Sequence, residues 1–248
     1  MYEITFNFLL ILSISSLIMG MSRGGVGGGA GLAGVLLAAQ VLPPIQAAAF
    51  LLPILVITDP ISIWLYKKNI NWASLKVLLP GVTLGLIIAY FTVSIISDNF
   101  IKLVVGILSI ALFIDGIKNK LSSNPSKKLP PVIGLVLGCL AGFSSFLIHS
   151  GLPPVAAYLL PQKLSRQAFM GTVAIFFGIT NIVKIFPYLY LGLFEKQLFI
   201  LTLYMIPVAF FGVWVGRKIN NILSDKIFFI IVYLTILILG LRLIFDSF

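Results

Sequence analysis

Long apolar runs follow one another along almost the whole chain, at 4–22, 30–42, 46–66, 75–96, 100–117, 131–148, 152–160, 168–191, 198–215 and 227–245. Most of them reach the ~20 residues that a helix needs to cross a bilayer. They show neither the alternation of a half-buried strand nor a strong polar stripe, so the pattern predicts buried or lipid-facing helices. Two runs, 30–42 and 152–160, are too short to span, and each follows a polar, flexible stretch. The fold class predicted is an all-α polytopic membrane protein.

The polar connections divide the chain into two related halves. Pro80, Gly85, Ser97 and Asp98 follow one another at the same spacing as Pro207, Gly212, Ser224 and Asp225, so one offset covers all four. Further upstream, Thr58-Asp59 falls near Thr180-Asn181, and Gly31-Leu32 near Gly151-Leu152, once a few gaps are allowed. Internal repeats of this kind set the architecture. The boundaries predicted are a first repeat at 1–117, a basic cytoplasmic linker at 118–130 holding Lys118, Lys120, Lys127 and Lys128, and a second repeat at 131–248.

Loop charge orients the halves. Lys67, Lys68 and Lys76 share one connection, Lys163 and Arg166 another, and Arg217, Lys218 and Lys226 a third; with the linker these are expected in the cytoplasm. The nearly balanced groups Asp98 with Lys102, Glu195 with Lys196, and Arg242 with Asp246 are expected outside, as are both termini. The loop of Lys67 then corresponds in the repeat to the external loop of Glu195, so the repeats are inverted. Each half is expected to be a helix pair with one short member, followed by three transmembrane helices. Inverted repeats are characteristic of secondary transporters, whose sites lie near the bilayer midplane.

Composition narrows the functions. Of 248 residues 60% are hydrophobic and only 10% charged, against about 25% charged in soluble domains. The net charge of +10 lies in short loops rather than on one face, which fits membrane topology and not nucleic acid. Cys139 is the single cysteine, so no disulfide or metal framework is expected. The first run lacks a basic leader and reads as a mature helix. No clustered His, Asp or Glu supports an enzyme, and no phosphate-binding loop implies ATP; neither cofactor nor metal is expected.

Three places carry candidate chemistry. Ser22, Arg23, Gly24, Gly25, Gly27, Gly28 and Gly29 open the first short helix, where free backbone N–H groups and close approach suit an anion; small residues that merely let helices pack are the alternative. In the second half the equivalent place holds Ser144, Ser145, His149, Ser150 and Gly151 before Pro153 and Pro154, with the helix expected to start at Ser150 or Gly151. Asp59, in Thr58-Asp59-Pro60, is the one acid well inside an apolar run, where a charge costs about 2.5–3.5 kcal/mol. It is expected to carry a coupling proton, or else to cap backbone freed by Pro60. Asn181 matches it in the second half, and Lys184 either adds positive charge there or snorkels to the outer interface.

These residues resemble the TauE/SafE family of sulfite and organosulfonate exporters, also called the toluene sulfonate uptake permease family. Its members have a glycine-rich stretch after the first helix, similar to Gly24–Gly29. Many carry a Gly-Pro-Pro-apolar-Tyr-Leu-Leu run with a following basic residue, similar to Gly151–Leu160 with Arg166. Where relatives place further glycines this chain has Phe146–Ser150. The resemblance runs from end to end and implies transport of sulfite, a sulfonate or a related anion. The expected function is therefore an alternating-access, proton-coupled transporter of the prokaryotic inner membrane. Its expected partners are a small anion and lipid, with a homodimer left open; a passive anion channel and a non-transporting assembly subunit are the alternatives.

Overall fold

The computed structural model describes residues 2–26, 28–93 and 129–248, with scattered positions from 95 to 114. Gly27, Asp98, Lys102, the basic linker up to Lys128 and most of the run at 100–117 lie outside the described residues. Among the described residues the regular structure is helical. The helices are α1 (Phe6–Met21), α2 (Gly28–Ala38), α3 (Pro44–Tyr66), α4 (Trp72–Thr92), α5 (Pro131–Ile148), α6 (Leu152–Leu159), α7 (Arg166–Tyr190), α8 (Lys196–Ile222) and α9 (Asp225–Phe245). Six segments among them are long and apolar enough to cross a membrane: α1 continued to Gly25, and α3, α4, α5, α7 and α8. Large apolar side chains such as Phe91, Phe186 and Tyr204 stand exposed on them, the surface that lipid tails would cover.

Local signals place the helix starts. Thr5, Asn71, Ser165 and Ser224 each accept, through the side chain, a backbone N–H three residues on, which caps α1, α4, α7 and α9. Pro43 and Pro130 precede α3 and α5, whose first residues are themselves prolines. Pro53, Pro60, Pro80, Pro187 and Pro207 lie inside helices, and side chains from other helices reach the backbone near Pro53. Around Pro53, the Phe50 carbonyl accepts from Thr202 Oγ1 at 2.9 Å and the Ala48 carbonyl from His149 at 3.0 Å.

The short helices double back on their partners. Gly31 lies by Ser22 and Met19, and Gly34 by Ser15, whose hydroxyl donates to the Gly34 carbonyl at 2.6 Å. Likewise Gly151 lies by Ala141 and Ser145, while Tyr158 reaches Gly134. α2 therefore runs back along α1, and α6 along α5. The first short helix, Gly28–Ala38, begins before the apolar run at 30–42 and ends sooner, and the second starts at Leu152 with Gly151 as its cap, just after the expected Ser150 or Gly151.

Two seams of backbone contact hold the long helices together. In α1 and α8, Gly20 meets Ala209, Gly24 meets Val213, and Gly212 and Gly216 meet Leu17 and Met21; in α4 and α5, Gly81 and Gly85 meet Leu135 and Cys139, and Gly138 and Gly142 meet Leu78 and Val82. In each seam the register advances in step, so the paired helices run parallel. A methyl group at most of these glycines would overlap a backbone carbonyl oxygen of the opposite helix, the close approach that small-xxx-small spacing permits. α3 and α7 instead run antiparallel between the seams, with Asp59 beside Asn181 and Gly171 beside Asn69. Gly85→Val is expected to destabilise by about 1–3 kcal/mol or more, because the obstructing atoms are backbone. The lipid-facing Leu84→Val should shift thermal unfolding in detergent far less.

Candidate functional site

α1 does not stop cleanly. It passes into a wider turn at Ser22–Val26, broken at Gly25, whose φ of 117° only glycine adopts readily. That turn carries Arg23 inward instead of letting it continue toward the basic face. Arg23 Nε stands 2.7 Å from Asp59 Oδ1 of α3, with the two side chains 11% and 4% exposed. The contact is an ion pair by distance, without the alignment of a hydrogen bond. Asn181 of α7 donates to the other carboxylate oxygen, Oδ2, at 2.7 Å. The Arg23 guanidinium also lies 5.7 Å from the centre of the Phe177 ring, within cation–π range.

A second polar group lies at the end of α5. His149 closes that helix in the left-handed conformation, φ 51°. Lys184 of α7 is fully buried, and its ammonium meets three partners: the Ser145 carbonyl at 3.0 Å, Ser145 Oγ at 3.1 Å and His149 Nδ1 at 2.7 Å. An ammonium has three protons to give, and these partners take them all. His149 Nε2 faces the Ala48 carbonyl at 3.0 Å, so a neutral imidazole protonated at Nε2 satisfies both contacts. One turn beyond Lys184, the Tyr188 hydroxyl donates to the Phe146 carbonyl. Tyr188 thus serves the Phe146 carbonyl, and Lys184 joins the His149 N–H on the Ser145 carbonyl, at the negative end of the α5 dipole.

Both groups border one small cavity, lined among others by Ser22, Arg23, Ser145, His149, Phe177 and Asn181. Of the residues expected to bind the anion, the structure therefore brings Ser22, Arg23, Ser145, His149 and Asn181 together, with Asp59 and Lys184 bonded to them. Lys184 does not snorkel. The glycines separate: Gly24 is pressed against the α8 backbone and Gly25 against Tyr66 and Asn220, while Gly28 and Gly29 lie in the first turn of α2. Packing accounts for Gly24 and Gly25. Ser144 ties the loop by donating to the Ser150 carbonyl at 2.9 Å, and Gly151 fits where a methyl would crowd the Ala141 carbonyl and Phe177.

Sequence reading passed over Tyr66 and Asn220. Asn220 Nδ2 donates to the Tyr66 hydroxyl at 2.7 Å, and that hydroxyl donates to the Gly24 carbonyl at 3.1 Å. Both residues sit at the ends of apolar helices, where polar side chains are ordinary, and no local motif marks them.

Because Asp59 and Arg23 are buried as a pair, removing one partner strands the other. Asp59→Leu is expected to cost about 3–5 kcal/mol, and the Arg23→Met/Asp59→Leu double variant to recover most of it. Thermal unfolding in detergent reads this directly, and strictly additive losses would show that the pair is not coupled.

Comparison with known proteins places this arrangement. No curated protein and no solved structure matches the chain significantly. A family model described as "Sulfite exporter TauE/SafE" matches residues 12–243, nearly the whole chain. With its membrane-spanning helices, the chain is an integral membrane protein, and it belongs to the sulfite exporter TauE/SafE family, whose members are transporters and not enzymes.

Proposed function

We propose that the protein moves a small sulfur-containing anion by alternating access, with Arg23 as the principal anion ligand and Asp59 as the coupling proton carrier. The observation that carries this reading is that Arg23, a cation lining the cavity, is held there by a titratable carboxylate. Arg23 and ionised Asp59 together carry no net charge. Protonation of Asp59 loosens its hold on Arg23 and leaves the pair with one net positive charge, which favours an anion. Deprotonation lets the carboxylate compete for Arg23 and expels the anion. Linkage makes the effect reciprocal: an anion that binds the protonated form better also draws a proton onto Asp59. Ser22, Ser145, Asn181 and His149 supply hydrogen-bonding groups around the same space.

The packing favours alternating access between two inverted repeats, 1–117 and 131–248. α1 lies parallel against α8 as α5 lies parallel against α4, each half opens with a long helix and a short one folded back, and α3 and α7 face each other across the site. Under such symmetry one seam is the image of the other, and rocking one half against the other would alternate access. The positive-inside rule puts the basic end in the cytoplasm and both termini outside. Tyr2 and Gln197 meet at the opposite end, with Tyr2 N–H donating to Gln197 Oε1 at 3.1 Å.

The test is uptake of radiolabelled sulfite, thiosulfate and an organosulfonate into proteoliposomes, with and without an imposed proton gradient. At least one anion is expected to move in the wild type and to be driven by the gradient, and Asp59→Asn to lose that drive. Arg23→Gln should slow uptake on the order of 100-fold, the factor corresponding to about 2.7 kcal/mol of lost charge-assisted contact. If no anion moves, the substrate reading fails. Uptake by the wild type that ignores the gradient would favour a passive channel.

A further inference from the structure

A second and larger cavity, of about 460 Å³, opens at the basic end, where α3, α7 and α8 meet. Lys68, Arg166 and Arg217 line it together with carboxamides such as Gln167 and Asn220, and among the described residues its lining holds no carboxylate. The positive-inside bias explains why this end is basic. It does not explain why cations from α7, α8 and the connection after α3 converge on one concavity.

The cavity is also built. The Arg166 guanidinium donates to the Leu223 carbonyl at 2.6 Å and to both the backbone and side-chain oxygens of Asn220, and lies 5.0 Å from the centre of the Phe228 ring. Asn220 passes the chain on to Tyr66, and Tyr66 to the Gly24 carbonyl. The residue before Gly24 is Arg23. Tyr66 and Asn220 thus form a polar floor to this cavity, bonded to the backbone next to Arg23. A Cβ on Gly25 would overlap the Tyr66 hydroxyl and crowd Asn220, so the floor depends on the same glycine that breaks the helix.

We propose that this cavity is a second anion site, which takes small oxyanions from the water at the basic face and holds them one hydrogen-bonded layer away from Arg23. Two exposed cations, Lys68 and Arg217, with several amide donors beside the bonded Arg166 suit an oxyanion, whose oxygens accept several donors at once. The volume leaves room for an anion that keeps part of its hydration shell. Its role in loading the transporter rests on the transport reading above; its binding of an anion does not.

Trp64 lines the cavity and is one of three tryptophans, so a Trp72→Phe/Trp214→Phe chain carries a single local reporter. Sodium sulfite and sodium sulfate, titrated in neutral detergent at constant ionic strength, are expected to change Trp64 fluorescence with saturation. Lys68→Gln/Arg217→Gln should raise the half-saturating concentration by roughly tenfold or more. Lys76→Gln, which removes a charge at the same end outside the cavity lining, should leave it within about twofold. Both replaced cavity cations are exposed, so the variants should fold, and size-exclusion profiles check this.

A non-saturating response, or equal effects of the cavity and Lys76 variants, would overturn the proposal, since either means a diffuse surface field. So would a response to phosphatidylglycerol vesicles but not to the free anions, which would make the patch a lipid headgroup site. Saturable binding in a chain that moves no anion would uphold the site and remove only its loading role.

Discussion

A carboxylate inside an apolar helix has to be neutralised, and much of this structure is arranged around doing so for Asp59. Arg23 supplies the charge and Asn181 the second hydrogen-bond donor. For Arg23 to reach Asp59, the chain after α1 must turn inward, which Gly25 permits through its positive φ. For the turn to sit there at all, Gly24 must lie flat against the α8 backbone. The ion pair, the broken helix and the glycine seam are thus one construction, in which packing sets the position of a charge.

The second half solves a related problem differently. Where the first half breaks a helix with glycine, this half ends α5 at His149 in a left-handed conformation and sets Lys184 and Tyr188 against carbonyls of its last turn. The two halves therefore bring unlike chemistry to one cavity. One contributes a cation tied to a titratable acid, and the other a cation tied to neutral acceptors. Under the proposed function an anion between them would face Arg23 on one side and Lys184 on the other, and among the described residues the Asp59 side offers the carboxylate that competes for it.

Much of this was legible in the sequence. The apolar runs gave the helices, and the short runs at 30–42 and 152–160 marked the folded-back pairs. Asp59 stood out because its burial is expensive, and the repeat pointed to Asn181 as its counterpart, which turns out to be its hydrogen-bond partner. The glycines were harder. Gly24 and Gly25 read as an anion cradle, but glycine density records close backbone approach without saying whether the approaching atoms belong to a ligand or to another helix. The spacings of Gly20 with Gly24, Gly81 with Gly85, Gly138 with Gly142 and Gly212 with Gly216 carried the seam signal, and it emerges only when each helix's partner is known. Tyr66 and Asn220 were illegible for the same reason: they lie 154 positions apart and gain meaning only by meeting.

The central claim is that anion binding and protonation of Asp59 are one linked event. Proton exchange on binding tests it most directly: purified protein in weakly buffered detergent solution, with a pH indicator, titrated with sulfite. Comparing the wild type with Asp59→Asn cancels the anion's own titration. The wild type should take up as much as about one proton more per bound anion than the variant. Equal proton exchange in the two proteins, with sulfite bound by both, would contradict the account and leave Asp59 a structural counter-ion to Arg23.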